Sequence, residues 1–145
     1  MALIVQKFGG TSVANAERLR NVAQIIAETY RQGHQVVAVL SAQGDTTDEL
    51  IEKAMEINPK ASRREMDMLL STGEQISCAL CAMAIEAMGL PVVSLTGWQA
   101  GVQTNGTYSS ARIKKIDVER IQSEIDRNHS IVIVTGFQGI NQYGD

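Results

Sequence analysis

The stretch KFGG combines a lysine with two glycines and could bind phosphate. Lys7 ends an apolar run, and Gly9 and Gly10 stand before a helical pattern. Glycines let the backbone approach an anion, and the backbone N–H groups at the start of a helix bind phosphate. Lys7 would add a full positive charge. The stretch is not a Walker A loop, which has its lysine after its glycines. On their own, these residues predict a tight strand-to-helix turn as well as they predict a phosphate site.

Two further features could bind a polar ligand. Ser41 ends a second apolar run, and Thr47 follows in the same polar loop, where it also suits a helix N-cap. Glu74 lies on a helical stripe with Ser71 and Cys78, among mostly small or apolar residues. A carboxylate in such surroundings either reaches solvent or pairs with a cation. Glu74 is therefore either a solvated glutamate or the acceptor of a ligand's ammonium group.

The hydrophobic pattern predicts the elements that must position these residues. Apolar runs predict strands at 3–8, 35–41, 91–97 and 130–136. Helical spacing predicts helices at 14–32, 48–57, 63–88 and 117–128, with an irregular loop or hairpin at 98–112. This alternation predicts an α/β domain with a mainly parallel sheet. Ligands of such sheets bind beyond the carboxyl ends of the strands, where the loops beginning at Lys7, Ser41, Thr96 and Thr135 would meet.

The long helical pattern at 63–88 carries two further expectations. Ile76, Leu80 and Met83 are among the apolar residues expected to face the core. Cys78 and Cys81 form a lone CxxC within the helical pattern. A zinc or redox site would need a second pair or a turn, so two buried core thiols are expected.

Composition argues against several classes of function. The chain has 145 residues, 44% hydrophobic and 20% charged, which suits one globular domain. Its net charge is −3 and its 13 basic residues are dispersed, so neither nucleic acid nor an anionic membrane is expected as a partner. The sequence contains no run of about 18 apolar residues, so no membrane span is predicted. No signal-peptide pattern is present either, so a cytoplasmic protein is expected. No cluster of metal ligands or Ser-His-Asp triad is recognisable, and no protein-held metal is expected.

Taken together, the motifs resemble those of a known family. The order and spacing of five stretches are similar to those of aspartokinases: KFGGTSV (7–13), SAQGDTTDEL (41–50), REMDMLLSTGEQIS (64–77), SLTGWQAGVQT (94–104) and GFQG (136–139). The resemblance implies the amino acid kinase (carbamate kinase-like) fold, a three-layer αβα sandwich. It also implies transfer of the ATP γ-phosphate to the β-carboxylate of L-aspartate. The product would be 4-phospho-L-aspartate, the first intermediate of lysine, threonine and methionine synthesis.

The resemblance also implies a role for individual residues. Contacts to the ATP phosphates would come from the first loop: Lys7, Phe8, Gly9 and Gly10. Lys7 would also be catalytic, with Mg²⁺ bound through ATP. Aspartate would be held by three side chains: Ser41, Thr47 and Glu74. Because a carboxylate is already a nucleophile, the reaction needs positioning and charge neutralisation rather than a catalytic serine or histidine.

The kinase domain of the family is longer than this chain. Relatives continue after GFQG through a glycine-rich segment, a nucleotide-binding half and regulatory ACT domains. Residues 1–145 are therefore expected to be a truncated, N-terminal, aspartate-binding portion, inactive alone and part of a homo- or hetero-oligomer in its full-length form. Two alternatives remain: a stand-alone, non-catalytic binding module with the same fold, and another amino acid kinase. Gln43 stands where relatives commonly carry methionine, and little effect is expected from it.

Overall fold

The computed structural model describes all 145 residues and shows two sheets and four α-helices. The main sheet contains β1 (Leu3–Phe8), β2 (Gln35–Leu40), β3 (Val92–Leu95) and β6 (Ile131–Thr135). Its strands are all parallel, in the order β1-β2-β6-β3. A short 3-10 helix (Gly10–Val13) follows β1, and the α-helices are α1 (Ala16–Arg31), α2 (Thr46–Ile57), α3 (Arg63–Glu86) and α4 (Glu119–Asn128). The prediction of an α/β fold with a mainly parallel sheet is confirmed.

The two faces of the sheet bury different residues because side chains alternate along each strand. Val36, Ala38 and Leu40 of β2 lie in the core that α1 and α3 cover. Val37, between them in the chain, lies in a second core with Ile125 of α4. Helices therefore cover both faces, which makes the three layers that the family resemblance implied.

The α4 side of the sheet is uncovered at the edge strand β1. Phe8 packs against the core beneath α1 and α3, whereas Leu3 and Val5 point to the opposite face. There these two side chains are 54% and 65% exposed. Proteins ordinarily cover apolar surface of this kind on an edge strand.

Helix α3 buries a face made largely of small residues. Its buried residues are Gly73, Glu74, Ser77, Cys78, Cys81, Ala82 and Ile85. Ile76, Leu80 and Met83 are instead 50%, 41% and 60% exposed, so the prediction that they face the core was wrong. Small residues let the helix pack closely, since a Cβ at Gly73 would lie 2.9 Å from the Cβ of Ala42. The helix was predicted correctly, but Ile76, Leu80 and Met83 point away from the core.

The two cysteines of α3 are core thiols, as predicted. Cys78 and Cys81 are 1% and 0% exposed and form no disulfide. Burial raises the pKa of both thiols to about 12. Each is therefore neutral and unreactive at physiological pH.

By length and composition alone, α3 could also cross a membrane. It has 24 residues, and one 18-residue window reaches a mean hydropathy of 1.4. A core helix passes the same test, and α3 packs against α1, α2 and the sheet. This property is therefore weak support for a membrane span.

A hairpin follows β3, and its second strand lies just beyond residues 98–112, for which an irregular loop or hairpin was predicted. β4 (Val102–Thr104) pairs antiparallel with β5 (Ile113–Ile116). The sequence pattern did not predict β5. All four residues of β5 are exposed, so the strand lacks the alternation that marks a half-buried strand.

Candidate functional site at the carboxyl ends of the strands

The carboxyl ends of β1, β2 and β6 bring Lys7, Ser41 and Phe137 together. Lys7 Nζ donates a hydrogen bond to Ser41 Oγ at 2.8 Å. The same nitrogen lies 4.8 Å from the centroid of the Phe137 ring, within range of a cation–π interaction. Phe137 is 84% exposed and has a φ of 62°, in the left-handed region that a bulky residue seldom adopts. The ammonium group of Lys7 is thus held at an open edge of the sheet.

Gly9 and Gly10 have different structural roles. A Cβ at Gly10 would lie 3.0 Å from the carbonyl oxygen of Ala42, so close packing of the first two loops requires glycine there. A Cβ at Gly9 would meet no atom within 4 Å, and its φ of −79° suits any residue. The Gly9 N–H has no hydrogen-bond partner within the chain. Gly9 therefore leaves an open stretch of backbone beside Lys7 where an anion fits.

Phe8 and Thr47 are placed differently from the other predicted site residues. The ring of Phe8 packs against the core, so the residue faces the loops only through its backbone. Its carbonyl oxygen accepts a hydrogen bond from the Ser41 N–H at 3.1 Å. Thr47 is exposed in the first turn of α2, and its hydroxyl makes no hydrogen bond to Lys7 or Glu74.

Glu74 is a buried carboxylate without a cationic partner. It is 8% exposed, and no basic nitrogen lies within 4.0 Å of it. Its Oε2 accepts a hydrogen bond from Gln138 Nε2 at 2.9 Å, whereas its Oε1 accepts none. The alternative of a solvated glutamate was therefore wrong. Because an unpaired buried charge is costly, Glu74 is a favourable place for a ligand's ammonium group.

Three residues that were not predicted as site residues connect this edge. Ser77 Oγ donates to the Ser41 carbonyl oxygen at 2.6 Å, which ties α3 to the end of β2. Gln138 Nε2 also donates to the Ser71 carbonyl oxygen at 2.7 Å, and Thr135 Oγ donates to Gln138 Oε1 at 3.0 Å. The GFQG stretch at the end of β6 was the available signal for Gln138.

Two concave surfaces lie away from the strand ends. One cleft of about 410 Å³ is lined by residues that include Tyr30, His34 and His129. A second, of about 430 Å³, is lined by residues that include Trp98, Asp117 and Arg120. Neither cleft includes the residues that meet at the carboxyl ends of the strands. No group of three or more His, Cys, Asp or Glu side chains is placed to hold a metal ion.

The edge therefore offers charges of opposite sign for one ligand or for two. Lys7 and the open Gly9 backbone suit an anion, and Glu74 suits an ammonium group. No histidine takes part in these contacts.

The chain is similar to a kinase family and to individual kinases. A sequence profile described as the amino acid kinase family matches residues 2–145. An aspartokinase of Geobacillus stearothermophilus is 52% identical over 145 residues, which are 100% of this chain and 35% of that protein. This chain thus spans about a third of the length of that curated relative.

Two aspartate kinases are among the solved structures that the chain resembles. An aspartate kinase from Synechocystis superposes with a TM-score of 0.79 at 46% identity, covering 94% of this chain and 22% of that one. E. coli aspartokinase III, solved with aspartate and ADP, superposes with a TM-score of 0.76. That match covers 99% of this chain and 42% of the other, and its 20% identity supports the fold alone.

Proposed function

Because the chain belongs to the amino acid kinase family, we propose that it is the aspartate-binding part of an aspartate kinase. The enzyme would transfer the γ-phosphate of ATP to the β-carboxylate of L-aspartate. The product, 4-phospho-L-aspartate, would enter lysine, threonine and methionine synthesis. The observation that carries the proposal is the Glu74 carboxylate. It is buried at the same sheet edge as Lys7 and has no cationic partner. The similarity to aspartokinases supports the choice of substrate.

Aspartate would be held by charge at one end and by hydroxyl groups at the other. Glu74 Oε1 would accept from the substrate's ammonium group, since Oε2 is already bonded. Ser41 and Thr47 would donate to the carboxylates, and the exposed Thr47 hydroxyl is free to do so. The hydrogen bond from Lys7 to Ser41 would place the lysine ammonium next to the β-carboxylate.

The phosphates of ATP would lie beside Lys7 and Gly9. Both fit an anion, because the lysine is exposed and the Gly9 backbone is open. The β-carboxylate would attack the γ-phosphorus and displace ADP, so Lys7 would stabilise the charge on the transferring group. Mg²⁺, when bound through ATP, supplies further charge neutralisation. E. coli aspartokinase III, which shares the fold, was solved with aspartate and ADP.

The rest of the nucleotide site would come from protein outside residues 1–145. The chain spans 35% of a curated relative, and the exposed face formed by Leu3 and Val5 is available for further structure to cover. We propose that the complete protein is a cytoplasmic oligomer and that residues 1–145 alone are inactive. A nucleotide-binding half and ACT domains would complete it.

Trapping of the acyl phosphate tests the proposal. Hydroxylamine converts an acyl phosphate into a hydroxamate, which forms a coloured iron(III) complex. The complete protein should give hydroxamate with ATP and L-aspartate, and residues 1–145 alone should give none. Turnover of glutamate or acetylglutamate in place of aspartate would indicate another amino acid kinase. No turnover with any of them would favour the non-catalytic module, and robust turnover by residues 1–145 would contradict their proposed inactivity.

A further inference from the structure

Gln138 lies at the centre of a hydrogen-bond network that runs from the end of β3 to α3. The Gly97 N–H donates to Thr135 Oγ at 2.8 Å, and the Thr135 hydroxyl donates to Gln138 Oε1 at 3.0 Å. Gln138 Nε2 then donates to the Ser71 carbonyl oxygen at 2.7 Å and to Glu74 Oε2 at 2.9 Å. The network thus connects the loops after β3 and β6 to the buried carboxylate.

The neighbours of the Gln138 amide determine its orientation. A backbone carbonyl and a carboxylate oxygen can only accept hydrogen bonds, so both require the amide NH₂. The Thr135 hydroxyl accepts from Gly97, which leaves its own proton for Gln138 Oε1. A flipped amide would place its oxygen against two acceptors and lose both bonds. The NH₂ group therefore faces Glu74.

The hydrogen bond from Gln138 holds one oxygen of the Glu74 carboxylate and leaves the other free. A glutamate side chain has several rotamers, and a hydrogen bond at Oε2 selects one of them. Oε1 accepts no hydrogen bond within the chain. A neutral amide also offsets part of the cost of burial without cancelling the charge, as a lysine or arginine would. Gln138 thus holds Oε2 without supplying a cation, and Oε1 stays open to a ligand.

We propose that Gln138 is a positioning residue for amino-group recognition. By holding Glu74 through Oε2, it directs Oε1 at the ammonium group of the amino-acid substrate. The inference rests on the proposed function, because it concerns the same Glu74. It adds a basis for specificity: Gln138 helps to distinguish an amino acid from the corresponding dicarboxylate without an amino group.

The substitution Gln138→Met in the complete protein tests this role, because methionine keeps the length of the side chain and removes the amide. Three constants are measured: the KM for aspartate, the KM for ATP, and the inhibition constant of succinate, which is aspartate without its amino group. We expect the KM for aspartate to rise about tenfold, because the loss of one hydrogen bond to a charged group has about this effect. The KM for ATP and the inhibition constant of succinate should each change less than about twofold. A merely structural loss would weaken succinate and aspartate binding together and would overturn the proposal.

Gln75→Met is the matched control. Gln75 lies next to Glu74 in the chain, and its Nε2 donates to the same Ser71 carbonyl oxygen at 3.0 Å, but it does not bond Glu74. Its loss should leave the KM for aspartate unchanged. An equal rise of that KM in Gln75→Met and Gln138→Met would overturn the positioning role.

A double-mutant cycle shows whether Gln138 acts through Glu74. The combination of Glu74→Gln with Gln138→Met should bind aspartate no worse than Glu74→Gln alone, because without the Glu74 carboxylate there is no charged contact left for Gln138 to position. Fully additive effects would contradict the inference. An unchanged KM for aspartate in Gln138→Met, with a raised KM in Glu74→Gln, would contradict only the inference. No aspartate-dependent turnover in the parent protein would contradict both the inference and the proposed function.

Thr135 provides a second test should Gln138→Met not fold. Thr135→Val removes the hydroxyl that holds Gln138 Oε1, whereas Thr135→Ser keeps it. We expect the valine variant to raise the KM for aspartate without changing the inhibition constant of succinate, and the serine variant to behave like the parent. Equal KM values in the two variants would overturn the network as the basis of positioning.

Discussion

Replacement of Lys7 by alanine should remove activity and leave the fold intact. Lys7 is exposed, and its ammonium group has two contacts, the Ser41 hydroxyl at 2.8 Å and the Phe137 ring at 4.8 Å. An exposed cation–π contact contributes about 0.5–1 kcal/mol, and the hydrogen bond from the Lys7 ammonium to Ser41 contributes about as much, because it is exposed and water competes for both groups. The free energy of unfolding should therefore fall by no more than about 2 kcal/mol.

The expected effect on catalysis is larger. Removal of one preorganised group that stabilises transition-state charge costs about 10²–10³ in kcat. Hydroxamate trapping with the complete protein measures kcat, and thermal unfolding followed by circular dichroism measures stability. Lys114→Ala is the matched control, because it removes the same charge from the exposed strand β5. Its kcat and melting temperature should equal those of the parent.

Two results would refute this reasoning. A Lys7→Ala protein with near-normal kcat would show that Lys7 has no part in phosphoryl transfer. An equal loss of kcat in Lys114→Ala would show that the effect comes from net charge rather than from the position of Lys7.

The remaining predictions concern the Glu74 carboxylate, the first loop and the buried thiols. Glu74→Gln should raise the KM for aspartate at least about tenfold and change the KM for ATP little, because a charged contact becomes a neutral one; steady-state kinetics showing the reverse would reject the ammonium role. Gly10→Ala should lower the free energy of unfolding by roughly 1–3 kcal/mol, since its Cβ would meet a backbone carbonyl. Gly9→Ala should not lower the free energy of unfolding but should raise the KM for ATP. Urea unfolding and steady-state kinetics measure both variants; a loss of stability in Gly9→Ala but not in Gly10→Ala would contradict the prediction. Cys78 and Cys81, whose pKa burial raises from 9.0 to about 12, should resist alkylation in the native protein at about pH 8. Their protonated thiols contribute stability that is fully present below pH 9.0 and is lost as pH rises towards 12, which urea unfolding across that range can measure.

The strands of the main sheet were predictable because they are nearly continuous apolar runs. Strands covered on both faces have this pattern, and β2 and β6 are covered in that way. β5 was missed because its residues are all exposed. The buried face of α3 was predicted wrongly because the helix is apolar on most sides. Its sheet-facing side contains small residues such as Cys81 and Ala82, while the larger Leu80 and Met83 face outwards.

The position of the candidate site was predictable from the sequence, but its internal contacts were not. Lys7 and Ser41 end neighbouring parallel strands, and this topology alone brings them to one edge. The bond between Gln138 and Glu74 joins residues 64 positions apart. It depends on how the loop after β6 lies over α3, which no local pattern encodes. The role of Thr47 in aspartate binding stays a prediction.

The position of bound aspartate tests the central claim most directly. In a crystal structure of the complete protein with L-aspartate, the substrate's ammonium nitrogen should lie within about 3.2 Å of Glu74 Oε1. The Gln138 amide should remain on Oε2. Aspartate bound elsewhere, with Glu74 paired instead to a lysine or arginine from another part of the protein, would contradict the account.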